Sequence, residues 1–303
     1  MNFKIEIKSR ILNEGFEDVR FLTEENSGKT IIVASFPYRL QEKNQKKGVN
    51  ITPFARSDHY GEAVKRLKNV ALFIREENSL KKKDIRIFCN SRLEEKLYAA
   101  LSGLGFYGRN SLIITEKSGS RVILAGMIIP IRLEPDEALN NGTIPGALCG
   151  SCRACINNCP TLAIEAKGII NRDKCLQSLT TDHRILPEEI MEKWGNRLYG
   201  CSICQDCCPF NKFEQNTNDS VKGHIGDSVP FEFILNADDR EMKEYFRGTA
   251  LSMAWIDFDH LRRNTIISSV AENRVDLIET IEKFLNHEKI AYAAQWAVEK
   301  LKT

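Results

Sequence analysis

The stretch Cys149-Gly-Ser-Cys152-Arg-Ala-Cys155-Ile-Asn-Asn-Cys159-Pro160 constrains this chain more than any other part of its sequence. Its spacing is C-x2-C-x2-C-x3-C-P. Three cysteines on one tight loop reach three corners of a cubane, while the fourth is turned away from it and the proline ends the loop. A second stretch, Cys201-Ser-Ile-Cys204-Gln-Asp-Cys207-Cys208-Pro209, repeats part of the pattern. It reads as C-x2-C-x3-C-P through Cys208, or as C-x2-C-x2-C through Cys207. Pro209 follows Cys208 as Pro160 follows Cys159, so Cys208 is read as the ligand and Cys207 as spare.

Nine of the ten cysteines fall between Cys149 and Cys208. Disulfide scaffolds are usually small, with their cysteines spread through the fold. Here the cysteines are clustered in a 303-residue chain whose charged start, Met1 to Ile11, lacks the apolar stretch of a signal peptide. They read as metal ligands in a reducing cytosol. The spacing assigns one [4Fe–4S] cluster to Cys149, Cys152, Cys155 and Cys208, and a second to Cys159, Cys175, Cys201 and Cys204. Cys89 and Cys207 remain as small buried hydrophobes or free thiols. Paired C-x2-C motifs also build zinc ribbons, but zinc sites do not favour this run with its fourth cysteine before proline. Two linked clusters imply a path for electrons taken one at a time.

Around this module the sequence predicts an α/β domain over residues 1–140, the double-cluster ferredoxin-like domain over 141–215 and a helical region over 216–303. Ile31 to Ser35 and Ile85 to Phe88 are expected strands. Asp58 to Glu77 and Leu93 to Leu101 are expected helices, the first capped by Ser57 or Asp58. Leu112 to Ile114 and Val122 to Ile129 read as a hairpin about Lys117-Ser118-Gly119. The polar stretch from Glu214 to Gly226 leads out of the module. Two apolar stripes, from Leu277 to Leu285 and from Ile290 to Leu301, are read as one HEAT-type pair or as a plain helical cap. No apolar run approaches ~18 residues, so no membrane-spanning helix is expected. A formal charge of +2 does not announce a nucleic-acid protein. His59, His183, His224, His260 and His287 form no paired motif, and no histidine ligand is assigned.

Three segments in this order resemble the epoxyqueuosine reductase family. Gly103-Leu-Gly105-Phe-Tyr-Gly108-Arg109-Asn110-Ser is similar to its Gly-Leu-Gly-x-x-Gly-Lys-Asn-Thr signature. Asn196-Arg-Leu-Tyr-Gly-Cys201 leads into the second cysteine stretch as in that family. Phe246-Arg-Gly-Thr-Ala250, followed by Arg262-Arg263-Asn264, resembles the start of its HEAT-like tail. The resemblance covers most of the chain from about Ile31 onward. It implies a cobalamin between the N-terminal domain and the cluster module, and reduction of epoxyqueuosine to queuosine at the wobble position of tRNA. A base in an anticodon loop is accessible without opening a duplex.

The resemblance places Ser178 and Thr180 where the family touches cobalamin, although such hydroxyls equally cap a helix. Gly105 and Gly108 read as close approach to the corrin or as an ordinary helix cap and turn, and Arg109 and Asn110 as cofactor contacts or solvated groups. Gln205 and Asp206 read as lying near the cobalt side, with Asp206 a proton relay or a solvated loop acid. The resemblance also implies an unidentified low-potential electron donor and a cytoplasmic monomer with no membrane partner. Arg247, Arg262 and Arg263 read, from their charge, either as tRNA-phosphate contacts or as a solvated helix face. One departure stands out. The family's Asp-Ser pair, whose Asp is its proposed proton donor, is matched here by Asn90-Ser91, and an amide cannot donate a proton as a carboxylic acid does. The alternative is a two-cluster electron carrier or cobalamin-binding paralogue acting on another substrate.

Overall fold

The computed structural model describes residues 2–24, 27–38, 48–211 and 225–303. The exit from the cysteine module, Glu214 to Gly226, lies almost wholly outside the described residues.

The chain opens with helix α1 (Phe3–Asn13), capped by the Asn2 side chain. Strands β1 (Asp18–Glu24) and β2 (Lys29–Pro37) follow, then the two-residue β3 (Val49–Asn50), α2 (His59–Glu77), β4 (Arg86–Cys89) and α3 (Glu95–Leu101). After them come β5 (Phe106–Tyr107), β6 (Ile113–Ile114) and β7 (Val122–Ile129). The sheet order is β1-β2-β7-β4, and every pairing in it is antiparallel.

Strand β2 reads as a continuous apolar run because both of its faces are covered. Ile32, Ala34 and Phe36 pack towards α1 and α2, while Val33 packs towards α3 with Ala99, Ala100 and Leu104. A strand with one wet face would alternate instead. Asp58 caps α2 through the Gly61 N–H at 2.7 Å, as expected for an acidic N-cap.

The hairpin expected between Leu112–Ile114 and Val122–Ile129 does not form. Strand β6 pairs with β5, whereas β7 enters the main sheet between β2 and β4. The turn was legible in Lys117-Ser118-Gly119, and Thr115 does bridge Gly119 there. The partner of each strand is a long-range choice that turn chemistry does not encode.

The cysteine module adds short elements: α4 (Ala154–Asn157), β8 (Ile164–Ala166), β9 (Ile169–Ile170), α5 (Leu176–Leu179), α6 (Glu188–Glu192) and α7 (Ile203–Asp206). The tail contributes β10 (Ser228–Val229), α8 (Phe231–Asn236), α9 (Asp239–Tyr245), α10 (Phe258–Ala271), α11 (Ile278–Glu282) and α12 (Ala291–Leu301). The expected C-terminal stripes are α11 and α12, which pack together, while α10 lies against both α8 and α12.

One apolar core runs from Val49, Ile51 and Ala55 through Leu176, Leu186 and Trp194 of the module into α8, α10 and α12. The three parts of the sequence are therefore bound by shared packing. Polar staples reinforce it. Arg263 is 2% exposed, donates to Leu179 O at 2.6 Å and also to Asp182 O. Asn264 donates to Thr180 O at 2.9 Å and Leu198 O at 2.8 Å. Arg262 is held by Asp239 and Asp259. Of the three arginines expected to meet phosphates, only Arg247 stays exposed, paired with Glu244. The other two join the tail to itself and to the module.

Candidate metal centre

Two loops of matching design build the centre. In the first, Cys149 closes a single helical turn, Cys152 N–H returns to Cys149 O at 3.1 Å, and α4 carries Cys155. In the second, α7 carries Cys204, and Cys208 precedes a turn over Pro209–Asn211. Helices α4 and α7 lie against each other, which brings the two loops together.

Between them lies a cavity of about 300 Å³, counted with its open mouth. Cys149, Cys152, Cys155 and Cys208 all line it, beside Arg109 and Asn110. Phe106, Ile114 and Phe210 supply the apolar packing around Cys208. All ten cysteines are free thiols. Burial, then Cys207, Cys149 and Cys208, push the Cys155 thiol up to about 11.

The Cys204 thiol is pushed up by burial first, then by Cys201 and Cys175. Hydrogen bonds tie the remaining cysteine to this second group. The Thr161 hydroxyl, 3.7 Å from Cys159 Sγ, donates to Lys174 O at 2.6 Å, next to Cys175. Cys201 N–H donates to Gln177 Oε1 on α5 at 3.0 Å. Cys159 Sγ accepts the Ala163 N–H at 3.3 Å, the kind of N–H···S bond that tunes a cluster's potential.

So many thiols at close quarters repel as thiolates unless a cationic centre neutralises them. Arg109 adds a second sign of fit. Its buried guanidinium donates to Gly150 O at 2.6 Å, inside the first loop, while Nε has no partner among the described residues. A thiolate-ligated cubane carries net negative charge, which such a cation offsets. The donor set and its surroundings fit iron–sulfur clusters.

The other expected residues divide clearly. Gly105 and Gly108 are required by their own hairpin, since a Cβ would come within 2.6 Å of Ile114 O at the first and 2.7 Å of the Ile114 side chain at the second. Gln205 is consumed internally. Its amide N donates to Tyr38 Oη (2.9 Å) and Ser120 O (2.8 Å), and its Oε1 accepts from Tyr38. Thr180 is buried, donates to Gln177 O at 2.9 Å and accepts the Gly200 N–H. Asn110 donates weakly to Cys204 O at 3.4 Å. Ser178 is half-buried, and its hydroxyl makes no hydrogen bond among the described residues. Asp206 is exposed, bonded to Arg121 and Ser202. Asn90 is exposed at φ +48°, and its N–H and that of Ser91 both donate to the Glu95 carboxylate, at 3.1 and 2.7 Å.

Sequence reasoning missed Tyr38, Ser120, Asn211 and Glu95. Asn211 accepts from Ser120 N–H and donates to Gln205 O, both at 2.7 Å, so these residues lock the second cysteine loop onto the N-terminal sheet. No local motif marks Tyr38, Ser120 or Asn211, because each matters through a partner far along the chain; Glu95 acts locally, on the N–H groups of Asn90 and Ser91. Gln205→Leu would strand the Tyr38 hydroxyl and Ser120 carbonyl in a buried site. It is expected to cost about 2–4 kcal/mol, read as a lower unfolding midpoint of the cluster-loaded protein.

A family model for a 4Fe-4S double cluster binding domain matches residues 148–211. The epoxyqueuosine reductase of Staphylococcus aureus is 30% identical over an alignment that covers 94% of this chain and 77% of that protein. The chain belongs to the epoxyqueuosine reductase family. A second member, from Vibrio cholerae, is 30% identical across 88% of this chain and 71% of its own length. Within the family, a solved structure of the Bacillus subtilis epoxyqueuosine reductase matches 98% of this chain and 90% of that one, with a TM-score of 0.84 and 25% identity. An epoxyqueuosine reductase solved with an epoxyqueuosine-modified tRNA-Tyr stem loop shares the fold, with a TM-score of 0.83 at 24% identity over 99% of this chain and 90% of that one. Members of the family are oxidoreductases. Among the described residues no helix is long and apolar enough to cross a membrane.

Proposed function

We propose that this chain reduces epoxyqueuosine to queuosine in the anticodon loop of tRNA, in the cytoplasm, using two [4Fe–4S] clusters and a cobalamin. The observation that carries the reading is the convergence of Cys149, Cys152 and Cys155 with Cys208 on one cavity, in a chain of this family. In this reading those four hold the outer cluster, and Cys159, Cys175, Cys201 and Cys204 hold the inner one. The cobalamin belongs between residues 1–140 and the cluster domain of 141–215, and residues 216–303 form the HEAT-like tail.

Turning an epoxide into an alkene takes two electrons and two protons and releases water. Bound clusters supply electrons singly, from a low-potential donor, and bound cobalamin supplies a strongly nucleophilic two-electron centre. The chain's own residues do the rest. The Asn110 amide donates to the Cys204 carbonyl, which links the inner cysteine loop to the Gly-rich hairpin. Gln205 and Asn211 hold that loop against Tyr38 and Ser120, which fixes its distance from the N-terminal sheet. Among the described residues the Ser178 hydroxyl makes no hydrogen bond and is offered to a corrin amide, whereas Thr180 and Gln205 are bonded within the protein.

The test is conversion of an epoxyqueuosine-containing anticodon stem loop by protein reconstituted without oxygen, given cobalamin and a chemical reductant. Loss of one oxygen from the base is the expected product signature. The exposed amide of Asn90 favours a second reading, a paralogue that binds cobalamin but acts elsewhere. Tight cobalamin binding without conversion, in this chain and in Asn90→Asp, would select that reading. No cobalamin binding would leave a two-cluster electron carrier.

A further inference from the structure

Three of the chain's five histidines, far apart in sequence, gather at the junction of the cysteine module and the tail. His183 lies on the exposed loop after α5, and His260 is buried in the first turn of α10. His183 Nδ1 and His260 Nε2 are 3.0 Å apart, with ring centroids at 4.3 Å. Asp257, the N-cap of α10, joins them, so that one donor atom from each of the three residues lies within 4.8 Å of the other two. His287 stands close by, its Nε2 3.5 Å from Asp259.

We propose that His183, His260 and Asp257 form a site for a divalent metal ion of the zinc class (Zn²⁺, Co²⁺ or Ni²⁺), completed by solvent, that clips the loop after α5 to the helical tail. Two imidazoles and a carboxylate with an open position are a recurrent donor set for such ions. Metal–nitrogen bonds of about 2.0–2.1 Å place two imidazole nitrogens about 3.0–3.4 Å apart, which is the spacing found here.

The electrostatics are balanced by nearby groups. Lys289 Nζ lies 3.0 Å from Asp257 Oδ2 and 3.0 Å from Asp259 Oδ2, so the two carboxylates already hold one cation. The Arg263 charge also opposes a second positive charge at His260. Burial, Arg263 and His183 push the His260 ring down to about 4, which keeps its lone pair free of a proton at neutral pH. A metal ion at this site competes with Lys289 for Asp257. The exposure of His183 gives it access and room for water ligands.

The competing explanation is a plain imidazole–imidazole hydrogen bond, and a titration separates the two. Zn²⁺ is added to the cluster-loaded protein in a calorimeter, with the cluster absorption followed in parallel. The expected result is one Zn²⁺ per chain at micromolar affinity or better, with the absorption unchanged and the unfolding midpoint raised. His183→Ala, at an exposed position that leaves the fold intact, should weaken binding by at least about tenfold. Lys289→Met should tighten it, because the competing cation is gone. Absence of binding in the micromolar range, or equal affinity in His183→Ala, would overturn the proposal. Zinc uptake with loss of cluster absorption would do so as well, since it would place the ion on the cysteines.

Discussion

Cys155→Ser is expected to halve the iron of protein prepared without oxygen, from about eight to about four atoms per chain. Cys155 lines the cavity with Cys149, Cys152 and Cys208, so its removal takes one corner from a single cubane. Its thiol is pushed up to about 11 by burial first and then by three neighbouring thiols, which shows how crowded the sulfurs are. A cluster that neutralises this crowding gains from every thiolate present, and a serine hydroxyl is a poor, usually protonated replacement. The second group, around Cys204, keeps Cys159, Cys175 and Cys201 and should keep its four irons. Electrons that must pass both clusters then have no route, so conversion of the epoxide should fall below detection. Iron analysis and the spin signals of the reduced protein check the first part, and the stem-loop assay checks the second. Retention of eight irons would move the ligand role to Cys207, the thiol that, after burial, does most to raise Cys155.

That outcome bears on how much of the molecule was legible beforehand. The meeting of Cys149, Cys152, Cys155 and Cys208 on one cavity could be read because a cubane imposes its spacing on one short loop, and Pro160 and Pro209 mark where each loop ends. The buried strand β2 and the capped helix α2 were also local facts, written in an apolar run and in Asp58. What failed was long-range. The partner of β7 is chosen by packing of both sheet faces, so the hairpin read around Lys117-Ser118-Gly119 was wrong although its turn was right. Arg263 looked like a phosphate contact because charge on a helix says nothing about which face is buried, and the structure spends it on Leu179 and Asp182. Gln205 looked like a cofactor contact, yet its partners Tyr38 and Ser120 lie 167 and 85 residues away. The histidine group at α10 was invisible for the same reason.

Asn90→Asp is expected to raise the rate of epoxyqueuosine conversion by about 10²-fold or more, the usual contribution of a positioned general acid. The substitution suits the site. Residue 90 follows β4 at φ +48°, a region where Asn and Asp are tolerated alike, so the exchange adds no backbone strain. Its side chain is exposed and has no partner among the described residues, so no contact is lost. The loop is already fixed, because Glu95 accepts the N–H groups of both Asn90 and Ser91. A new carboxyl near the Glu95 carboxylate would feel a like charge, which raises its pKa above that of a free aspartate. The sign of the pH effect follows. The protonated acid is the donor, so the variant's rate should fall as pH rises through that pKa, and the parent chain should lack this limb. Parallel pH–rate profiles measure it. An Asp variant no faster than the parent, with the same profile, would remove residue 90 from the proton path and leave delivery to solvent at the exposed loop.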